Sequence, residues 1–413
     1  MKIKLSVQIL CLMMTLCVAV SSRAQAPLWH LDVNNATEAW KITTGSKALV
    51  VLVDSRVEYN TYLKDKAYRQ KKDLTHQVYN KSEFINAYNR GFFEKSILRF
   101  NNTFFNTAEH AYGHYNHGTN MLSVVLVSKQ NIPYEENPRS QIAVSGVAPD
   151  AQFIDFSFGV DFGFCQQHPG IFEKLEDVKD KVDVIKQKSK KSSSKKKKAD
   201  TTRERALARV FTINLSAEEK FLRDQQTYEL FYKDWLKGIN IGKDLLLIAA
   251  AGNNGLNLDI ECIAVKYQPA CLKSSGDDLI IKVGSLAPYI QGANPQISAF
   301  SNYGKEYVDI LVPGESIATL TAAGFSAFVQ GTSPATAILS GVAALLASCR
   351  PETTALEIKH ALLNNADKYS HLKAYVKEGC VLNIWKTVKA FCPYDDGNDP
   401  YVIKSPTGQR SDL

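Results

Sequence analysis

Two unbroken apolar runs, at residues 48–53 and 245–251, constrain the fold of this chain more than any other feature. Runs of branched apolar residues without polar alternation are typical of strands buried on both faces of a parallel sheet. Further strands are predicted at residues 153–158, 210–216, 279–284 and 307–312, with helices at about 217–237, 333–347 and 356–364. This alternation predicts an α/β fold, a doubly wound and mostly parallel sheet with helices on both faces.

Size and composition place no limit on that fold. The 413 residues are 45% hydrophobic and 22% charged, so the chain can bury a full core. The net charge of +7 is local, because eight lysines lie between Lys186 and Lys198 and their removal leaves a charge near zero. We predict that this run belongs to a solvated insertion at about 166–208. A polyanion-binding role for the lysines is the alternative, and we expect no nucleic-acid partner.

The N-terminus has the features of an export signal. Lysines in the first four residues precede an apolar run at 9–20 and a small-residue cleavage site ending at Ala24. We therefore predict a signal peptide at residues 1–24, and a single mature domain at 25–413 that acts in the periplasm or outside the cell. The apolar run is too short to favour a transmembrane helix, and no membrane span is expected after cleavage.

Cysteine usage agrees with export. The cysteines left after cleavage are Cys165, Cys262, Cys271, Cys349, Cys380 and Cys392, and an oxidising compartment allows them to pair. Cys262 and Cys271 are close enough in sequence to close a small loop, whereas the other pairings stay open. No spacing fits a zinc site, and no metal site is predicted. His110 and His114 near His117 raise a metal-binding alternative, but no suitably spaced carboxylate or cysteine completes a ligand set.

A candidate nucleophile lies at the start of the helix predicted from residue 333. Pro334 suits the first turn of a helix, which places Ser333 beside the unpaired N–H groups and the positive dipole end of that helix. Those groups can stabilise an oxyanion that forms next to the hydroxyl. A serine in this position is also a common helix cap, so catalysis requires a base and an orienting group elsewhere in the chain.

Three further polar residues lie where such partners are needed. Asp54 ends the strand at 48–53, and the carboxyl edge of a parallel sheet is where sites are built. His117 precedes a segment with helical apolar spacing, so its ring is expected at a helix start near that edge. Asn253 follows the strand at 245–251, where its amide can donate to an oxyanion, although the same sequence also suits a plain turn.

In chain order, these four residues resemble the subtilisin-like serine proteases. The resemblance rests on Val-Leu-Val-Asp54, His117-Gly-Thr, Ala-Ala-Gly-Asn253-Asn-Gly and Gly-Thr-Ser333-Pro-Ala-Thr, and it covers about residues 28–390. Lesser matches are the aromatic segment near Trp29 and the turns at 146–149 and 312–314.

The resemblance implies peptide-bond hydrolysis through an acyl-enzyme. Ser333 would be the nucleophile, His117 the general base and Asp54 the residue that orients it, while Asn253 and the Ser333 N–H would bind the oxyanion. Ser216, Ala251 and Gly252 would line the substrate site, and the partners would be proteins or peptides. No cofactor is predicted. Calcium is common in that family, but no site is assigned to it, and the oligomeric state is left open.

Some residues depart from the family pattern. After Asp54 the family usually has a small residue and a glycine, whereas this chain has Ser55-Arg56. After His117-Gly-Thr the family usually has a second histidine and Val-Ala-Gly, whereas this chain has Asn120-Met121-Leu122. Ser216 is followed by Ala217-Glu218 in place of the usual Leu-Gly, which leaves the substrate preference open. The alternative to an active protease is therefore a non-catalytic relative that serves as a binding or scaffold protein.

Overall fold

A computed structural model describes most of the predicted core of the chain. The residues described are 27–46, 48–55, 117–158, 210–213, 217–218, 246–264, 267–268, 270–271, 279–321, 325–350 and 352–393. The predicted signal peptide, the lysine-rich insertion and the histidines at 110 and 114 lie outside these ranges, so those predictions stay predictions.

An eight-stranded sheet forms the centre of the structure. Its strands are β1 (Leu49–Ser55), β4 (Gln152–Phe158), β5 (Val210–Ile213), β7 (Leu246–Ala250), β9 (Ile280–Leu286), β10 (Ile310–Pro313), β13 (Asp367–Lys368) and β14 (Cys380–Val381). Their order across the sheet is β13-β14-β10-β9-β7-β5-β1-β4. All neighbours pair in parallel except the short edge pair β13 and β14. The predicted α/β fold with a mostly parallel sheet is confirmed.

Helices surround the sheet. They are α1 (Trp29–Asp32), α2 (Ala36–Ala39), α3 (His117–Leu126), α4 (Leu258–Ala264), α5 (Thr332–Cys349), α6 (Ala355–Asn364) and α7 (Ile384–Phe391), with single 3-10 turns at Ser370–Leu372 and Lys377–Gly379. The helix predicted at 356–364 is confirmed as α6, where Thr354 and Glu357 form a capping box.

Two hydrophobic clusters lie on opposite faces of the sheet. In β10, Ile310 and Val312 join the larger cluster with α5, whereas Leu311 between them joins the smaller one, as the alternation of side chains along a strand requires. Leu258 of α4 also belongs to the smaller cluster. The described helices therefore pack on both faces.

Helix α5 is the central element of the larger cluster. Every residue from 332 to 348 is buried, and the helix contacts α3 as well as five strands of the sheet. A side chain at Gly341 would bring its Cβ within 2.6 Å of the Cβ of Val147, so the glycine permits this close approach. Within the part of the chain described, α5 alone is long and apolar enough to cross a membrane. However, 94% of that segment is buried inside the protein, as expected of a core helix.

Three short antiparallel pairs were not predicted. They are β2 (Gln130–Pro133) with β3 (Gln141–Val144), β11 (Ile317–Leu320) with β12 (Ser326–Val329), and β6 (Ala217–Glu218) with β8 (Tyr267–Gln268). The last pair corrects the predicted start of the helix at Ala217, and residues 219–237 of that prediction lie outside the described residues. Pairing with a strand about fifty residues away in the chain overrides the helical pattern there.

One strand is shorter in the structure than the sequence predicted. The strand predicted at 307–312 begins at Ile310, because the Val308 N–H donates to the Gly304 carbonyl and holds the preceding residues in a turn. The predicted Cys262–Cys271 disulfide is present. A second disulfide joins Cys349 at the end of α5 to Cys392 after α7; the sequence left this pairing open.

Candidate active site

The carboxyl edge of the sheet brings two predicted site residues to the same side of the molecule. Asp54 is the sixth residue of β1, and Asn253 lies three residues after β7. These strands flank β5 in the sheet, and all three run parallel. Their carboxyl ends therefore emerge together, about 10 Å apart at two strand spacings.

His117 occupies the first position of α3. Residues 118–126 of this helix are all buried, and the helix packs against both β1 and α5. The fixed helix places the imidazole above the end of β1, where its Nδ1 lies 2.6 Å from Oδ1 of Asp54. The Asp54 side chain is completely buried, whereas 34% of the His117 side chain is exposed. The His117 side chain is thus partly open to solvent or substrate.

The charge of Asp54 determines the protonation behaviour of this pair. Burial of the His117 ring on its own lowers the pKa of the imidazole, but the charge of Asp54 and the hydrogen bond to it outweigh that effect. As a result, the pKa of His117 lies above its ordinary value. The bond also engages Nδ1, which leaves Nε2 as the ring nitrogen available to a hydroxyl.

Ser333 is the second residue of α5 and is 7% exposed. The residue in the cap position of this helix, Gly331, has φ 148°, a conformation that favours glycine. A Cβ there would lie 3.3 Å from Nδ2 of Asn253. Because the first turn of a helix has no intrahelical partners for its N–H groups, the backbone around Ser333 supplies donors beside its hydroxyl.

Thr332 holds the side chain of Asn253 in one orientation. The backbone N–H and the hydroxyl of Thr332 both donate to Oδ1 of Asn253, at 2.8 and 3.0 Å. The same hydroxyl accepts from the N–H of Gly252 at 3.1 Å. Since these bonds engage the amide oxygen, Nδ2 is the atom of Asn253 that remains to donate. The Asn253 side chain is exposed, as a group that meets substrate must be.

Two hydrogen-bonded pairs therefore contain or adjoin the predicted residues, and the helices that carry them are in contact. Asp54 bonds to His117, Asn253 bonds to Thr332 beside Ser333, and α3 and α5 pack against each other. An oriented base, a hydroxyl at a helix start and an aligned amide donor are the groups that acyl transfer requires.

The other predicted positions have mixed outcomes. Ala251 and Gly252 are buried where the backbone leaves β7, next to Asn253, whereas Ser216 and Arg56 lie outside the described residues. Met121 is buried in the larger hydrophobic cluster, so it packs as a core residue. Within the ranges that the structure describes, no group of three or more histidine, cysteine or acidic side chains could hold a metal ion.

Sequence reasoning missed two residues around Asn253. Thr332 was treated only as part of the motif, although its bonds to Asn253 determine which end of the amide can donate. Asn302, which no sequence motif singled out, is completely buried and bonds to the backbone on both sides of Asn253. A buried asparagine inside a polar turn gives no periodic signal that could have revealed this.

The fold and the site define a subtilisin-like α/β protein. The model of the subtilase family matches residues 45–382, which is most of the chain and includes all four predicted site residues. The protein therefore belongs to the subtilase family of serine proteases.

Relatives of this chain include part of a toxin. The chain is 28% identical over 191 residues to one of the subunits of the subtilase cytotoxin of Escherichia coli, in a match that spans 44% of this chain and 53% of that protein. A solved structure of the subtilase cytotoxin SubAB assembly contains a chain that matches this one with TM-score 0.58 and 23% identity. The match covers 88% of this chain and 96% of that chain. The structure of a lanthipeptide protease matches with TM-score 0.53 and 16% identity. That match covers 88% of this chain and 94% of the protease chain. These structural likenesses establish the fold. The chain spans about half the length of the curated relative that it matches.

Proposed function

We propose that this protein is an endopeptidase that cleaves peptide bonds through an acyl-enzyme on Ser333. His117 takes the proton from the Ser333 hydroxyl as the hydroxyl attacks the substrate carbonyl, and returns it to the leaving amine. Asp54 keeps the imidazole oriented and stabilises its positive charge. Asn253 and the N–H of Ser333 donate to the oxyanion.

One observation carries this proposal: the 2.6 Å contact between Asp54 and Nδ1 of His117. A completely buried carboxylate beside a histidine whose ring is one-third exposed is costly unless the charge is paired. The pairing raises the basicity of an imidazole at the surface, which is what a general base requires.

The substrates would be proteins or peptides. Ala251 and Gly252 lead from the end of β7 to Asn253, so they are suited to line a site for an extended chain. By the family resemblance, Ser216 would also line the substrate site. We propose no cofactor, no nucleic-acid partner and no membrane span in the mature chain.

Export is part of the proposal. The segment at residues 1–24 has the arrangement of a signal peptide, and both disulfides of the described residues need an oxidising compartment to persist. Sequencing the N-terminus of protein recovered outside the cytoplasm should give a chain that begins at Gln25. Recovery of a chain that still begins at Met1 would contradict the export step.

The activity can be tested by fluorophosphonate labelling and mass spectrometry. The probe should add to Ser333 of the wild-type protein, should fail to add to Ser333→Ala, and should add far more slowly to His117→Ala. Ser340→Ala is a matched control, because Ser340 is a buried serine in the same helix that bonds to the Thr336 carbonyl. Its labelling should equal that of the wild type. No adduct on folded wild-type protein would indicate the non-catalytic alternative.

A further inference from the structure

The exposed side chain of Asn253 cannot be held by packing, so its position depends on hydrogen bonds. Thr332 fixes one end of the amide. The backbone of the turn at 251–256 sets where the side chain starts. Gly252 and Gly255 in that turn have φ 103° and 66°, conformations that leave N–H and C=O groups without the regular partners of a strand or helix.

Asn302 supplies those partners. Its Oδ1 accepts from the N–H groups of Asn254 and Leu256, both at 3.0 Å. Its Nδ2 donates to the carbonyl of Ala251 at 3.0 Å, and its own N–H donates to the carbonyl of Gly252 at 2.9 Å. Asn302 therefore binds the turn both before and after Asn253, through bonds that span about fifty residues of sequence.

The residues just before Asn302 bond to β9. The hydroxyl of Ser301 accepts from the N–H of Ser285 in β9 at 2.9 Å. The N–H of Ser298 donates to the Ser285 carbonyl at 2.9 Å. Asn302 and Ser301 are 0% and 1% exposed, so neither side chain can move into solvent. The turn that carries Asn253 is thus connected by hydrogen bonds, through Asn302 and Ser301, to a central strand of the sheet.

The chemistry of this position calls for an asparagine. The turn presents two N–H groups and one C=O group to a single buried side chain, and an amide offers two acceptor lone pairs and a donor in one plane. Serine is too short to span these groups. Aspartate retains the acceptors but places a carboxylate oxygen against the carbonyl of Ala251.

We propose that Asn302 is a positioning residue for the reaction, which holds the 251–256 turn so that Nδ2 of Asn253 meets the oxyanion. This inference rests on the proposed function. Asn302 touches no reacting atom and acts through Asn253. Its removal should therefore slow the chemical step and leave reagent binding unchanged, and it should do so only while the Asn253 amide is present.

A double-mutant cycle tests this proposal with the fluorophosphonate probe, measuring the inactivation rate constant kinact and the binding constant KI. The proteins are the wild type, Asn302→Ser, Asn253→Ala and the double variant. Asn302→Ser should lower kinact by about 10-fold to 100-fold, a part of the loss of about 10²–10³ that follows removal of a whole oxyanion donor, with KI unchanged. In the Asn253→Ala background the same substitution should have almost no further effect, because the two residues act as one unit.

Asn34→Ser separates positioning from general stability. Asn34 is 1% exposed, and both ends of its amide bond to backbone, at His30 and Ile384. Its loss should lower the melting temperature as Asn302→Ser does, yet leave kinact unchanged. If Asn302→Ser does not fold, Asn302→Asp repeats the cycle, since it keeps the acceptor for Asn254 and Leu256.

Different results would overturn the proposed function and the positioning role of Asn302. Absence of labelling in the wild-type protein would remove the proposed function and this inference with it. Labelling of the wild type, combined with equal fold-losses for the Asn302 variant in both backgrounds, would overturn the positioning role alone. An unchanged kinact in folded Asn302→Ser would do the same.

Discussion

The two ends of helix α5 are held by different kinds of interaction. At its start, Thr332 bonds to Asn253 and to the N–H of Gly252, at distances of 2.8 to 3.1 Å. At its end, the Cys349–Cys392 disulfide joins it to the last described helix, and the guanidinium of Arg350 lies 4.7 Å from the centre of the Phe391 ring.

This difference separates geometry from stability. Hydrogen bonds are directional, so they can fix an amide within the small tolerance that oxyanion binding requires. A disulfide acts mainly on the unfolded chain, by limiting its freedom, and imposes little on a site more than fifteen residues away along a helix. We therefore expect substitutions at the start of α5 to change the rate of reaction, and those at its end to change the free energy of unfolding.

The largest effect is expected from the nucleophile and its base. Ser333→Ala and His117→Ala should each lower kcat by about 10⁶, and the double variant should lose no more than either single one. These magnitudes are those of the subtilisin family. A continuous assay with a fluorogenic peptide and the melting temperature of each variant provide the check. Multiplicative losses in the double variant would contradict the prediction that Ser333 and His117 act as one catalytic unit.

Asn253→Ala should lower kcat by about 10²–10³ with KM nearly unchanged, because the amide acts on charge that appears only in the transition state. Asn254→Ala is the matched comparison, since its side chain is also exposed and adjacent. That variant should retain the wild-type kcat in the same peptide assay. Similar losses in both variants would show that the turn, and not the Asn253 amide, was disturbed.

At the other end of α5, replacing Cys349 and Cys392 together by serine should lower the free energy of unfolding by about 4 kcal/mol. This follows from the 43-residue separation of the two cysteines and the entropy of loop closure. Replacing Cys262 and Cys271, which are 9 residues apart, should remove about 2.5 kcal/mol. Denaturant unfolding measures both, and kcat at 25 °C should stay unchanged in the first variant. A large fall in that kcat would break the distinction between the two ends.

The smallest effect concerns pH. His117 must be neutral to accept a proton, and its pKa lies above the ordinary 6.5 because Asp54 stabilises the cation. Activity should therefore fall as the pH drops through a value above 6.5. The contribution of the pair to stability has the opposite sense: it is complete below pH 6.5 and is lost as pH rises through the raised pKa.

Asp54→Asn removes the charge that raises the pKa, so the acidic limb of kcat/KM in that variant should move to lower pH. Measuring kcat/KM for the wild type and Asp54→Asn between pH 5 and 9 at constant ionic strength gives the acidic limb of each protein. An unmoved limb would mean that another group controls the titration.

The sequence allowed the central part of the fold to be predicted, because its signals are local. The apolar runs that became β1 and β7 need no knowledge of their neighbours, and Pro334 marked the start of α5. Short strands such as β6 were missed, since a strand of two residues forms only where a distant partner supplies the hydrogen bonds. The predicted start of a helix at Ala217 was wrong for that reason, whereas residues 219–237 of that prediction lie outside the described ranges.

By itself, the sequence determined which chemical groups the site contains and the edge of the sheet on which they lie. Asp54 and Asn253 follow parallel strands, and His117 and Ser333 begin helices, so chain direction alone brings them to one side. The tertiary structure decided what their atoms do. The bond of Asp54 to Nδ1 of His117, the bonds of Thr332 to Asn253 and the bonds of Asn302 to the turn all join residues 46 to 79 positions apart. Such contacts depend on ångström-scale placement by the packed core, which no local pattern of residues records.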